Sequence, residues 1–394
     1  MRRSLIVVAA VAAALAGGCT ESSGPASSGV TLGATSSGLG SLFSVPPWAE
    51  EFSLLPVEGA APVRMSTSIG VLEWTTYAFP EGRELWNVLA TEHGPVATSF
   101  EPPRLLWSQD SVAWHEVETD VPAGRLAPAG GDVISFNGAA VRNAWNGSAW
   151  TPEAELDVPG WVTGIAFGAR DAVATHDVKG GVGFAHSSDG VTFEAVDGPG
   201  PEGLQGDACG YTYLGYGPKG PQVLATRDGF VAMTPANRMD WGPQSLCEPL
   251  TWTSADGIDW TLRTPTSPFD GGVVVDFVAE REGRFVAVGH ADDPGYWSAW
   301  TSGDAIVWEP IATDLTDIQA LTISSGPLGW IITGGASAAD LMWTSPDGVA
   351  WDGPHTLPKG FGTGYSFVEL AIGTNTIFGL GGREPMPVVA RLVG

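Results

Sequence analysis

The chain has 394 residues, with 44 Asp and Glu against 18 Lys and Arg, for a formal charge of −26 at neutral pH. A surface of that sign repels phosphate backbones, so nucleic acid is a poor partner, and its plain consequence is solubility. Its three cysteines and six histidines show no Cys-x-x-Cys, His-x-x-x-His or His-Glu-x-x-His spacing, and no Gly-x-Ser-x-Gly elbow or phosphate-cradling glycine loop is present; neither a metal nor a cofactor is expected.

Arg2 and Arg3 precede an unbroken apolar run from Leu5 to Leu15, followed by Ala16-Gly17-Gly18-Cys19, the layout of an export signal. The run is shorter than the roughly 20 residues needed to cross a bilayer, which leaves a spanning helix or a plain secretory peptide as the weaker alternatives. Small residues directly before a cysteine resemble the signals of bacterial lipoproteins. That resemblance implies removal of residues 1–18, diacylglycerol on Cys19, and a body held at the extracytoplasmic side of the cell membrane. Losing Arg2 and Arg3 takes the net charge to about −28. Residues 19–56 then read as a tether: Thr20 to Ser44 are Ser, Gly, Ala and Thr with almost no charge, too polar to bury a core. About 25 residues of such coil span roughly 25–30 Å on average.

From residue 57 to 394 one short pattern recurs. Three copies are complete: Ser187-Ser188-Asp189-Gly190 closing at Phe193, Ser254-Ala255-Asp256-Gly257 closing at Trp260, and Ser345-Pro346-Asp347-Gly348 closing at Trp351. Two lack the glycine, Ser108-Gln109-Asp110-Ser111 with Trp114 and Ser302-Gly303-Asp304-Ala305 with Trp308, and Ala144-Trp145-Asn146-Gly147 with Trp150 forms a degenerate sixth. Asp-Gly supplies the left-handed backbone a tight hairpin needs, and the Ser and Asp side chains can bond the turn's own backbone. Strain or a changed turn is expected where Ser111 or Ala305 replaces glycine.

Successive boxes start 36, 43, 67, 48 and 43 residues apart, the period of a four-stranded propeller blade with one long insertion at about 199–249. That insertion holds Cys209 and Cys247. An even pair in an oxidising compartment reads as a disulfide worth about 4 kcal/mol in the chain-entropy model, with two free buried thiols as the alternative. Between boxes the text is short β-rich runs broken by Gly, Asp and Pro, such as Val162 to Phe167, Ala172 to Thr175 and Val182 to His186, without helical periodicity. After Trp351 three strands follow with no box, Phe367 to Ile372, Thr376 to Leu380 and Val388 to Val393. Val71 to Phe79 is the candidate for the missing fourth. The expected fold is an all-β, seven-bladed propeller of four-stranded antiparallel blades, closed by an N-terminal strand at a noncovalent seam.

The boxes resemble those of the Asp-box, or BNR, β-propellers, a group that includes sialidases, sortilin-type receptors, xyloglucanases and photosystem assembly factors. The resemblance implies that each box joins the third and fourth strands of a blade on the rim, so that Asp110, Asp189, Asp256, Asp304 and Asp347 are structural. It also raises a glycosidase, since sialidases clamp a substrate carboxylate with three arginines beside a Tyr-Glu pair. Arg64 in Val63-Arg64-Met65-Ser66 lacks the flanking aromatic and proline of that family's first arginine. Arg227, Arg284 and Arg383 have no motif around them, and Tyr365 with Glu369 is the available Tyr-Glu pair, whose plain reading has Glu369 facing solvent. His176-Asp177 reads as a strand-end turn. Nine tryptophans recur with the repeat and mark packing, whereas Trp48, Trp86, Trp161, Trp241, Trp297 and Trp330 fall outside it and are the better binding candidates. The function expected is a monomeric, noncatalytic, membrane-tethered propeller that binds a protein or a glycan. A sialidase-like or other glycoside hydrolase is the alternative, and an assembly factor for a membrane complex a second.

Overall fold

The computed structural model describes residues 51–393, apart from 82–83, 100–103, 118–123, 179–180, 198–221, 234–250, 264–272, 292–296, 312–314, 316–317, 337–339, 358–368 and 382–385. Cys19, Cys209, Cys247, Trp48, Trp241, Tyr365 and Arg383 lie outside the described residues.

Four strands come first: β1 (Glu51–Ser53), β2 (Leu55–Pro56), β3 (Val63–Thr67) and β4 (Gly70–Ala78). Blade I is β5 (Trp86–Thr91), β6 (Gly94–Ser99), β7 (Arg104–Trp107) and β8 (Ala113–Val117). Blade II is β9 (Arg125–Ala129), β10 (Asp132–Asn137), β11 (Ala139–Trp145) and β12 (Trp150–Leu156). Blade III is β13 (Val162–Phe167), β14 (Ala172–Val178), β15 (Gly181–Ser187) and β16 (Glu194–Val196). Blade IV is β17 (Gln222–Thr226), β18 (Gly229–Met233), β19 (Thr251–Ser254) and β20 (Thr261–Arg263). Blade V is β21 (Val273–Arg281), β22 (Arg284–Ala291), β23 (Trp297–Ser302) and β24 (Glu309–Pro310). Blade VI is β25 (Ile318–Gly326), β26 (Gly329–Ala336), β27 (Asp340–Ser345) and β28 (Asp352–Thr356). Blade VII takes β29 (Glu369–Ile372), β30 (Thr376–Gly381) and β31 (Met386–Leu392) from the C-terminus and β4 from the N-terminus, with Val389 opposite Thr75 and Ala390 opposite Trp74. All pairing within the blades is antiparallel, and the first strand of each lies innermost, against the first strands of its two neighbours around a closed ring.

The core is divided among the blade interfaces. Seven buried apolar clusters occur among the described residues, and each bridges two adjacent blades. Between blades III and IV, for instance, Val173 and Phe184 pack against Phe230, Ala232, Trp252 and Trp260. This follows from the period-2 alternation of a strand, which sends successive side chains to the two faces of a blade; both faces are covered, so both sets are apolar. The ring leaves no blade with an open face.

Two features depart from the sequence reading. Strand pairing is already present at Glu51, inside the span assigned to the tether: β1 adds to the outer edge of β8, and β2 and β3 both pair with β4. These strands lace the two seam blades from outside, with Phe52 and Leu54 buried in the cluster between them. The span 199–249 is also not one insertion. It contains β17 and β18, the two inner strands of blade IV, and the excess length is divided between the connections on either side of that hairpin.

Candidate functional site

The six boxes sit where the third strand of each blade turns into the fourth. In each, one oxygen of the acidic or amide side chain accepts two backbone N–H groups. Asp110 Oδ1 takes those of Val112 and Ala113 at 2.8 Å, Asp189 those of Val191 and Thr192 at 2.8 Å, and Asp256 those of Ile258 and Asp259 at 2.9 Å. Asp304 and Asp347 repeat this at 2.8 and 2.9 Å, and Asn146 does the same for Ser148 and Ala149 at 3.0 Å. The serine hydroxyl donates to the aspartate and accepts the glycine N–H, as in Ser254 with Asp256 and Gly257. Trp260, Trp308 and Trp351 close the turn through an indole N–H to the carbonyl of Gly257, Ala305 and Gly348.

One oxygen of each such carboxylate is engaged in its own turn. At Asp189 the N–H groups of Thr192 and Val191 pull the carboxyl down to about 2. At Asp110 and Asp304 burial opposes the same effect and is outweighed. Ser111 and Ala305 hold the glycine conformation at φ 67° and 59°. Gly257 shows why glycine is otherwise used: φ is 76°, and an added Cβ would stand 2.6 Å from Val173 Cγ2 in the neighbouring blade.

Strand direction puts the first hairpin turn of every blade at the box end of the ring, so the inner strands begin at the opposite end. There the polar side chains gather. Four inner strands carry a bulge near their first residue, and the extra residue is polar each time: Asn87, Thr163, Asp276 and Gln319. Three side chains reach across to the backbone of the next blade. The Val88 N–H of blade I donates to Glu369 Oε2 of blade VII at 3.1 Å. Asn87 Nδ2 donates to Gly124 O, which leads into blade II, at 2.6 Å, and Arg125 Nη1 of blade II donates to Thr163 O of blade III at 2.8 Å. These bonds set Glu369, Asn87, Arg125 and Thr163 at one level, where the inner strands begin. Asn87 pays for its place with φ 38°, a left-handed value.

Glu369 does not face solvent freely. It is partly buried with one hydrogen bond, and burial pushes its carboxyl up to about 7. Asp340, at the same end of blade VI, is raised to about 6 by burial alone.

Of the tryptophans outside the repeat, Trp330 is core at 1% exposure, and Trp297 is packed against the cluster between blades V and VI. Trp86 and Trp161 are exposed, at 37% and 47%, and both stand where an inner strand begins, in blades I and III. Among the described residues the candidate arginines do not converge. Arg64 lies on the outer strand β3, paired with Glu73 at 2.6 Å, while Arg227 and Arg284 belong to the first hairpin turns of blades IV and V, at the box end. Among the described residues no cluster of three His, Cys, Asp or Glu could hold a metal ion.

No protein-family model matches this sequence, and no curated protein matches it. The likeness to Asp-box propellers therefore stands on the boxes themselves. Sequence reasoning missed the polar level at the far end, because each of its bonds joins blades and leaves no local pattern; the one available sign was a polar residue near the start of each inner strand.

Proposed function

We propose that this chain is an extracytoplasmic propeller, held to the membrane through a lipid on Cys19, that binds a protein or glycan ligand without transforming it, at the end of the ring opposite the boxes. The observation that carries the reading is the gathering of Glu369, Asn87, Arg125 and Thr163 at one level, with Trp86 and Trp161 exposed at the same end. The boxes are engaged in their own turns and offer no comparable surface. A strained, polar, inter-blade constellation on an apolar ring is where a ligand site is expected.

The test compares two pairs of variants in capture from envelope extracts and on a glycan array. Trp86→Ala with Trp161→Ala should abolish capture, and Ile258→Ser with Val349→Ser, at the box end, should leave it intact; the reverse pattern refutes the assignment. Replacing Cys19 by Ala should release the protein from the membrane fraction. The glycoside hydrolase alternative draws on Glu369, whose carboxyl lies in the range of a general acid. Turnover of a chromogenic glycoside that is lost in Glu369→Gln would establish it.

A further inference from the structure

If the end opposite the boxes is the binding face, its chemistry restricts what it can take. Trp161 precedes β13 and lies against the turn of blade II at Gly138, whose φ is 85°; a Cβ there would stand 2.8 Å from Cζ3 and 2.9 Å from Cε3 of the indole. The ring rests on the one residue type that leaves room for it, and 47% of Trp161 is exposed. It is a flat apolar platform, fixed from below.

Beside it, His176 of β14 stands in register with Val162, the residue after Trp161, and is only 7% exposed. Neither of its ring nitrogens has a hydrogen-bond partner. Both nitrogens are closed to solvent, so His176 belongs to the floor beneath the platform rather than to the surface a ligand meets. Around the ring at this level are an amide whose N–H is given to Gly124 O, which leaves Asn87 Oδ1 as an acceptor, and the Glu369 carboxyl.

Charge argues against an acidic ligand. Among the described residues Arg125 is the guanidinium at this level, and its Nη1 is already held by Thr163 O. The chain as a whole carries −26. Among the described residues, a carboxylate-bearing sugar would find here no arginine clamp of the bidentate kind that such recognition uses.

We infer that this face binds a neutral oligosaccharide, with a sugar ring stacked on the Trp161 indole, a second on Trp86, and hydroxyls bonded by Asn87 and Glu369. The inference rests on the proposal that this end is the binding face, and it names the ligand class. Two platforms separated by blade II call for a chain of several rings rather than a single monosaccharide.

The experiment uses the full chain on an array carrying neutral and sialylated or uronic oligosaccharides, with affinities of the strongest ligands taken from tryptophan fluorescence. Neutral ligands of several rings should bind, Trp161→Ala should weaken them about tenfold, and Trp161→Tyr, which keeps a flat ring, should stay within about threefold. Melting curves of both variants should match the parent, since Trp161 lies half in solvent. Binding of acidic glycans alone, or of a protein alone, that still depends on Trp161 overturns the neutral-glycan inference and keeps the binding face. Binding indifferent to both Trp161 and Trp86 overturns both, and silence across the array overturns the inference.

Discussion

Replacing Glu369 by Gln should stabilise the protein, and the gain should grow with pH. The carboxyl has an ordinary value of 4.5 and is raised to about 7 in the folded state by burial, against which the Val88 N–H acts only in part. The folded chain therefore binds this proton more tightly than the unfolded chain. The contribution is fully present below about 4.5, falls as pH rises from there, and is lost above about 7. The gap of some 2.5 units corresponds to about 3 kcal/mol at the upper limit, and part of the carboxyl still meets water, which lowers it. Gln keeps the shape and still offers an oxygen to the Val88 N–H. Urea unfolding of both proteins at intervals from pH 4.5 to 8.5 measures the difference. The variant should gain up to about 3 kcal/mol over the parent across that range; a difference that does not change with pH would refute the burial argument.

Ser111→Gly should add about 1 kcal/mol, because serine sits at φ 67° and glycine carries no penalty there. Ala305→Gly should be near neutral, since the same relief is offset by about 0.8 kcal/mol for a fully buried methyl; urea midpoints check both. Gly257→Ala should cost about 2 kcal/mol or more, from φ 76° and a Cβ 2.6 Å from Val173 Cγ2, read as a lowered melting temperature. Removing residues 1–79 should abolish the soluble monomer on size exclusion. It strips Leu72, Trp74 and Tyr77 from two interfaces at about 1.5–3 kcal/mol each, a sum comparable to a domain's whole stability, and bares the β31 edge. Removal of residues 1–48 should leave it intact.

The boxes made the architecture legible because their information is local: a turn, an aromatic three residues on, and a fixed period. The seventh blade could be read as well, since three strands without a box require a fourth. The lacing strands β1 to β3 could not, as Pro56, Gly59 and Pro62 break the segment and its pairing is decided by the edges it meets. Blade IV was hidden for a related reason, its inner hairpin being short and flanked by long connections of polar, Gly- and Pro-rich text. The site was least visible. Glu369 and Val88 are 281 positions apart, and the raised carboxyl is a product of packing that no spacing in the text encodes.

Blade VII is assembled from β4 near the N-terminal side and β29 to β31 near the C-terminal side, with Trp74 facing Ala390 across the seam. β4 can pair with β3 at once, but its other edge must wait for roughly three hundred residues of chain to emerge before β31 exists. Completion of the ring is thus an end-to-end check on the polypeptide. A product stopped anywhere short of β31 leaves two unpaired strand edges and two opened apolar clusters, and it presents itself to proteases as unfinished.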